Sequence, residues 1–189
     1  MRILIVGASG VLGRATLPHL RDHQVAGTTR VTSKGEVLRA LGARAEVCDV
    51  YDRGAVERVA RGFAPEIVVN FLTDLASGPG PANNRIRIEG GPIVSAAARA
   101  CGARRLVVES IAFASPASAP AVAALEDDAG TASAAGLEVV TLRFGRLWGP
   151  GTWSETALEP PAIPIAEAGR RAADLILSGV PGLHVVAAP

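Results

Sequence analysis

A doubly wound α/β domain built on a parallel sheet is the fold class this sequence predicts, and three observations predict it. Short β-branched runs alternate with longer Ala- and Arg-rich amphipathic stretches, the pattern of repeated βα units. A glycine-rich turn, GASGVLG at residues 7–13, joins the first such run to the first such stretch. The apolar residues are aliphatic rather than aromatic, 49% hydrophobic against 4% aromatic, which suits strands covered on both faces by helices. At 189 residues the chain fits one domain, 1–189, with a core of its own.

The elements follow in order. RILIVG (2–7) is a continuous apolar run and reads as a buried strand, followed by an amphipathic helix over 11–22. QVAGTT (24–29) is the second strand, and a helix over 34–42 leads to a third, ARAEVCD (43–49). Asp52 is placed to cap a helix over 52–62, ahead of the strand EIVVNF (66–71). A long helix over 83–101 ends at Gly102, where a left-handed residue is expected, and leads into the strand RRLVVES (104–110). A helix over 120–135 and the strand LEVVTLRF (137–144) follow, and the tail adds a late helix and a closing strand, for about seven strands in all. Two Gly- and Pro-rich stretches, 73–84 and 148–164, follow strands at their carboxyl ends. Open α/β sheets place their sites there, so these stretches are the expected pocket walls.

Composition removes several function classes. With 19 Lys and Arg against 18 Asp and Glu, the formal charge of +1 leaves no global field for nucleic acid or an anionic membrane. Cys48 and Cys101 stand far apart and outside metal-ligand spacing, so they read as reduced thiols. No metal is expected, because the three histidines pair with no Cys or acid at ligand spacing. The apolar run at the start is too short for a signal core or a membrane span, and the expected location is the cytoplasm. The expected partner is a small-molecule substrate.

The glycine turn carries the strongest functional signal. Gly7 permits the sharp turn, Gly10 lets the backbone approach a diphosphate, and Gly13 lets the helix pack closely on the strand. Ser9, Val11 and Leu12 complete the cradle at the helix start. The second strand ends in Thr28, Thr29 and Arg30, with no acid until Glu36, which favours NADP(H) over NAD(H). Asp49 and Val50, after the third strand, are placed to line the adenine. Phe71 and Leu72, after the fourth, stand beside the cofactor.

In this order the motifs resemble the short-chain dehydrogenase/reductase superfamily, in particular its extended and atypical members of the NAD-dependent epimerase/dehydratase type. GASGVLG, CDVYDRGAVERV, the segment RIRIEGGPIVSAAARACGARRLVVESIAFA, and LRFGRLWGPGTW are each similar to the corresponding family motif, so the likeness covers most of the chain. It implies a three-layer Rossmann domain that binds NAD(P), with oxidoreductase or epimerase chemistry, and a homodimer through the helices near 83–101 and 120–135. The departures are as informative. The family's hydride chemistry uses a Tyr-x-x-x-Lys pair, and those positions fall on Ser118 and Val122. The sole tyrosine is Tyr51 and no lysine follows Lys34. The family's helix asparagine falls on Arg87, while Ser110, preceded by Glu109, stands at the position of its catalytic serine. Only a short stretch separates Trp153 from the late helix, so the substrate lobe, about 148–189, is truncated. Glu109 and Ser110 are the expected catalytic candidates, ahead of Asp74, Arg143 and Glu155. Three readings stand at this point: a reductase with a non-standard proton donor, a non-catalytic NADP(H)-binding sensor or assembly module, and a remodelled isomerase, lyase or cyclase.

Overall fold

The computed structural model describes residues 1–74 and 80–188. Its strands are β1 (Arg2–Val6), β2 (Gln24–Thr29), β3 (Arg44–Val47), β4 (Ile67–Asn70), β5 (Arg105–Ile111), β6 (Glu138–Phe144), β7 (Arg146–Trp148), β8 (Ala162–Pro164) and β9 (Gly182–Val186). Seven of them form one parallel sheet in the order β3-β2-β1-β4-β5-β6-β9. The order reverses at β1, where Ile3 pairs with Val25 of β2 on one side and Ile67 of β4 on the other. That reversal opens the crevice in which ligands of doubly wound sheets sit. The expected Rossmann arrangement is therefore what this sequence adopts.

Alternation along β1 shows why both faces are covered. Ile3 and Ile5 join a core with Leu12 and Leu17 of the first crossover and with Ala168, Ala172 and Ile176. Leu4 and Val6 point the other way, into a core with Val56, Ala60, Val94, Ala97 and Leu125. The first core is closed by α1 (Val11–Thr16), α2 (Gly35–Ala40) and α7 (Ile165–Ser178), the second by α3 (Arg53–Phe63), α5 (Gly91–Ala100) and α6 (Ala119–Ala134). Asp52 caps α3 as expected, its Oδ1 accepting from the Ala55 N–H at 2.9 Å. Gly102 takes a φ of +74° after α5.

Two expected helices are interrupted, each at a proline. The helix foreseen over 11–22 stops at Thr16 and continues as a 3₁₀ turn, Leu17–Leu20, in which Pro18 stands at the start. The helix foreseen over 83–101 is α4 (Pro81–Arg85), a π-helical turn (Ile86–Gly90) and α5. Pro92 supplies the reason. Its ring has no N–H and collides with the carbonyl four residues back, Ile88, so the preceding turn widens and the Gly91 N–H reaches back to Ile86 O. The third strand is also shorter than expected, and β7 and β8 pair as a two-stranded parallel ribbon outside the main sheet. Among the described residues no helix is long and apolar enough to cross a membrane.

The first crossover is the tightest contact in the fold. A methyl on Gly13 would stand 2.7 Å from both the Ala8 carbonyl carbon and its Cα, so α1 rests directly on the turn that precedes it. Gly13→Ala is accordingly expected to destabilise the protein by about 1–3 kcal/mol through overpacking, despite the ~1 kcal/mol by which alanine favours a helix. Urea unfolding checks this: the midpoint should fall at an unchanged slope, and an equal or higher midpoint would show that the contact yields.

Candidate active site

The site begins where β1 leaves the sheet. Gly7 has a φ of +88°, and a Cβ there would lie 2.6 Å from the Phe71 carbonyl oxygen, so this position excludes any side chain on both conformation and space. Its N–H donates to Thr28 Oγ1 at 3.1 Å, and Ser9 Oγ donates to Thr29 Oγ1 at 3.0 Å, which ties the turn to the end of β2. Gly10 caps α1 without a side chain, and a Cβ there would meet only Gly7 O, at 3.2 Å. Its outer side is therefore open. The first helical bond runs from Arg14 N to Gly10 O, leaving the amides of Val11, Leu12 and Gly13 with no intrahelical partner at the positive end of the helix. Unpaired amides beside an open glycine surface are a geometry that suits an anionic group.

The residues expected to meet an adenosine follow β2 and β3. Thr28 and Thr29 are buried, whereas Arg30 is exposed and forms an ion pair with Asp74, Nη1 to Oδ2 at 3.2 Å. Val50 is buried and Asp49 is exposed, its Oδ1 accepting from the Tyr51 N–H at 3.0 Å in a turn of its own. The Arg85 guanidinium lies over the Tyr51 ring, 4.4 Å from its centre. Phe71 and Leu72 leave β4 under restraint: the Phe71 N–H donates to Val6 O at 2.9 Å and the Leu72 N–H to Asn70 Oδ1 at 3.1 Å.

At the carboxyl end of β5 the two catalytic candidates part company. Successive strand residues project to opposite faces, and Ser110 takes the face toward α6, fully buried, with its hydroxyl donating to Glu126 Oε1 at 2.6 Å. Arg143, its register partner on β6, donates to the same carboxylate from Nε at 2.8 Å and from Nη2. Two hydrogen-bonded donors hold Glu126 below the usual carboxylate range, Arg143 foremost. Ser110 and Arg143 are thus engaged in fastening α6 to the sheet. Glu109 projects the other way. Its Oε2 is enclosed with no hydrogen-bond partner among the described residues, although the residue as a whole is partly exposed. Burial pushes its carboxyl up to about 7, and the Arg87 charge acts in the opposite sense. Arg87 is itself buried, 5% exposed, on the π-helical turn, and burial lowers its own value.

At the start of α6, Ser118 Oγ lies 3.2 Å from Ser115 Oγ and Val122 is buried, so neither presents a phenol or amine toward the crevice. Glu155 is exposed in the loop between β7 and β8, together with Trp153, which is 82% exposed. Of the stretch 73–84, residues 75–79 lie outside the described residues. Sequence reasoning missed three contacts: Asn83, whose Oδ1 accepts from the Asp74 N–H at 3.0 Å, the Arg30–Asp74 pair, and the Arg85–Tyr51 stack. The opposite pointing of Glu109 and Ser110 was available from strand alternation alone.

Known proteins align with this arrangement. Residues 3–129 match the family model described as NAD dependent epimerase/dehydratase. A 3-diazoavenalumate denitrifying reductase from a Streptomyces species is 36% identical over 183 residues, covering 80% of this chain and 58% of the reductase. This chain therefore spans less than two thirds of that relative. The Thermus thermophilus UDP-glucose 4-epimerase, in complex with NAD, superposes with a TM-score of 0.80 at 20% identity, covering 99% of this chain and 78% of that one. The Thermotoga maritima UDP-glucose 4-epimerase, with UDP-glucose, gives 0.81 at 17% identity, covering 99% and 77%. At these identities the structural likeness establishes the fold. With the family model matching more than half of the chain, and with the glycine cradle at its place on the first crossover, the chain belongs to the NAD dependent epimerase/dehydratase family.

Proposed function

We propose that this protein is a reductase of small-molecule electrophiles that uses NADP(H) in preference to NAD(H), with the Glu109 carboxyl standing in for the missing Tyr-x-x-x-Lys pair. The observation that carries the reading is Glu109 itself: a carboxyl at the carboxyl end of β5, enclosed at Oε2, unpartnered among the described residues and raised to about 7. A group with that value is half protonated at neutral pH, the range in which a general acid works best. The relative named as a denitrifying reductase supports reductive chemistry over epimerisation. The homodimer expected through the α5 and α6 regions is part of the same proposal.

Bound at the cradle, the reduced dinucleotide would supply a hydride. The rest is the work of the chain's residues. The amides of Val11 and Leu12 and the bare surface of Gly10 hold the diphosphate, while Ser9 stays bonded to Thr29. Arg30 offers a guanidinium to a ribose 2′-phosphate, and Asp49 and Val50 border the adenine. Glu109 holds a proton at its carboxyl and releases it to the oxygen of a carbonyl acceptor, then regains one from water through its partly exposed side. The Arg87 charge, which favours the ionised form, eases formation of that carboxylate. An aryl diazonium acceptor is different: hydride forms the new C–H bond as the C–N bond breaks and neutral dinitrogen leaves, so the charges cancel and no proton is needed. The absent phenol and lysine are no obstacle to that substrate class.

Deuteride transfer from C4-labelled NADPH to a panel of carbonyl and aryl diazonium acceptors tests the reading: label should appear in the product, and epimerisation of sugar nucleotides should be absent. Because the protonated carboxyl is the active form, the single-turnover rate on a carbonyl acceptor should be level at low pH and fall tenfold per unit above about 7. Glu109→Gln should abolish that dependence and slow the step by about 10²–10⁴, while sparing an aryl diazonium acceptor. A folded-state value above the ordinary 4.5 means that ionising Glu109 costs stability, progressively from about pH 4.5 to 7 and fully above it. Glu109→Gln should therefore be more stable than the parent at pH 8, on the order of 1–3 kcal/mol, with the gain gone near pH 4. An unaltered rate, a flat profile and equal melting at pH 8 would remove Glu109 from the mechanism. For the cofactor, Arg30→Ala should weaken NADP(H) by roughly 10- to 100-fold through loss of a charge-assisted contact and leave NAD(H) nearly unchanged by calorimetry. Equal weakening would reject the assigned preference.

A further inference from the structure

Arg30 and Asp74 belong to strands that are not neighbours. Arg30 follows β2 and Asp74 follows β4, and β1 lies between them in the sheet, so their ion pair has to pass over the carboxyl end of β1, above the glycine turn. The two partners are unequal. Arg30 is a long side chain, 49% exposed, whereas the Asp74 side chain is 18% exposed and its backbone is fastened. The Asp74 N–H donates to Asn83 Oδ1 at 3.0 Å, and Asn83 is buried on α4. Upstream, Leu72 and Phe71 are held by Asn70 and by the Val6 carbonyl. The carboxylate is thus placed by the fold, and the guanidinium comes to it.

We propose that Asp74 is a specificity-determining residue of the adenosine half: a built-in anion that occupies the face of Arg30 a ribose 2′-phosphate would need, and so limits the preference for NADP(H) that Arg30 alone would confer. The inference rests on the dinucleotide reading given above. An acid that receives the ribose 2′-hydroxyl normally stands at the end of the second strand, and here that strand end is Thr28, Thr29 and Arg30. Asp74 brings a carboxylate to the same place from β4. A 2′-phosphate drawn to Arg30 must either displace Asp74 or settle beside it, and like charges at such a distance repel. A free 2′-hydroxyl meets no such cost and can donate to the carboxylate. Arg30 attracts the phosphate, Asp74 opposes it, and selectivity is the difference between the two.

The experiment is calorimetric titration of the full chain with NADP⁺, NAD⁺, adenosine 2′,5′-bisphosphate and 5′-AMP, the last two probing the adenosine half alone. Asp74→Asn keeps the backbone bond to Asn83 and removes the charge. It should tighten NADP⁺ and the bisphosphate about tenfold and leave NAD⁺ and 5′-AMP unchanged or weaker, shifting the ratio of dissociation constants at least tenfold toward NADP⁺. In an Arg30→Ala background the same substitution should tighten NADP⁺ clearly less, because only the repulsion between carboxylate and phosphate remains to be removed and no guanidinium is freed. A ratio within twofold of the parent for both pairs of ligands, or the same tightening with Arg30 absent, would overturn the proposal while leaving dinucleotide binding intact. Failure of the parent protein to bind either dinucleotide would overturn the dinucleotide reading and this inference with it.

Discussion

The contact on which the rest of the site depends is the approach of the Gly7 backbone to the Phe71 carbonyl. With a φ of +88° and no room for a Cβ, Gly7 turns the chain out of β1 and lets the exit of β4 lie directly against it. The backbone bond from Phe71 N to Val6 O closes the same junction from the other side. Two consequences follow. The start of α1 follows with its first amides free, because the N-cap is Gly10 and has no side chain to offer them. The segment Phe71–Asp74 is delivered to the rim of the crevice, so a residue encoded after β4 can meet one encoded after β2. Any side chain at Gly7 would separate these strand exits and undo both.

A second division of labour arises at β5, from nothing more than the two-residue period of a strand. Ser110 faces α6, where its hydroxyl and Arg143 share the Glu126 carboxylate. The network joins two strands and a helix, and its members are satisfied by one another. Glu109, one residue earlier, has no such outlet. The charge that acts on it is that of Arg87, which lies buried on the π-helical turn just before Pro92. π-Helical turns recur at functional sites for this reason: the extra residue re-aims a side chain that regular helical spacing would send elsewhere.

Much of this was legible in the sequence. The alternation of apolar runs and amphipathic stretches, the caps at Asp52 and Gly102, and the glycine spacing all act over a few residues, and the structure has them where the pattern puts them. What the pattern concealed is of two kinds. Helices 11–22 and 83–101 read as continuous because periodicity outvotes a single proline, although Pro18 and Pro92 each interrupt the backbone. The β7–β8 ribbon is three residues long on each side and set among Gly and Pro, too short for a strand signal. The other kind is separation in sequence. Arg30 and Asp74 are 44 residues apart, and Ser95 and Asp128, bonded at 2.6 Å, are 33 apart. Side-chain pairs of that sort depend on how strand exits are fanned out, which composition and local spacing do not encode. Arg87 illustrates the cost of reading by resemblance: as a departure from an expected asparagine it counts as a loss, yet in place it is a buried cation whose charge is felt at Glu109, the residue with the buried unpartnered carboxylate oxygen among the described residues.

Two carboxylates near the carboxyl ends of the strands, Asp74 and Glu109, stand in different dielectric settings. Arg30 and Asp74 meet at the surface, where water screens both and the pair can open at little cost when a competing anion arrives. Such a pair suits discrimination, since its free energy is small enough for a ligand to overturn. Glu109 Oε2 is enclosed without a partner, where separating charge from solvent is expensive, and the carboxyl answers by holding its proton to about pH 7. There the free energy goes into a protonation state instead of a contact. The glycine turn contributes the free amides at the start of α1, which carry partial charge that neither titrates nor moves. An anionic group at that turn would therefore meet a fixed field, with an exchangeable ion pair and a titratable carboxyl held on neighbouring strand ends, three charge settings that one sheet edge keeps apart by the order of its strands.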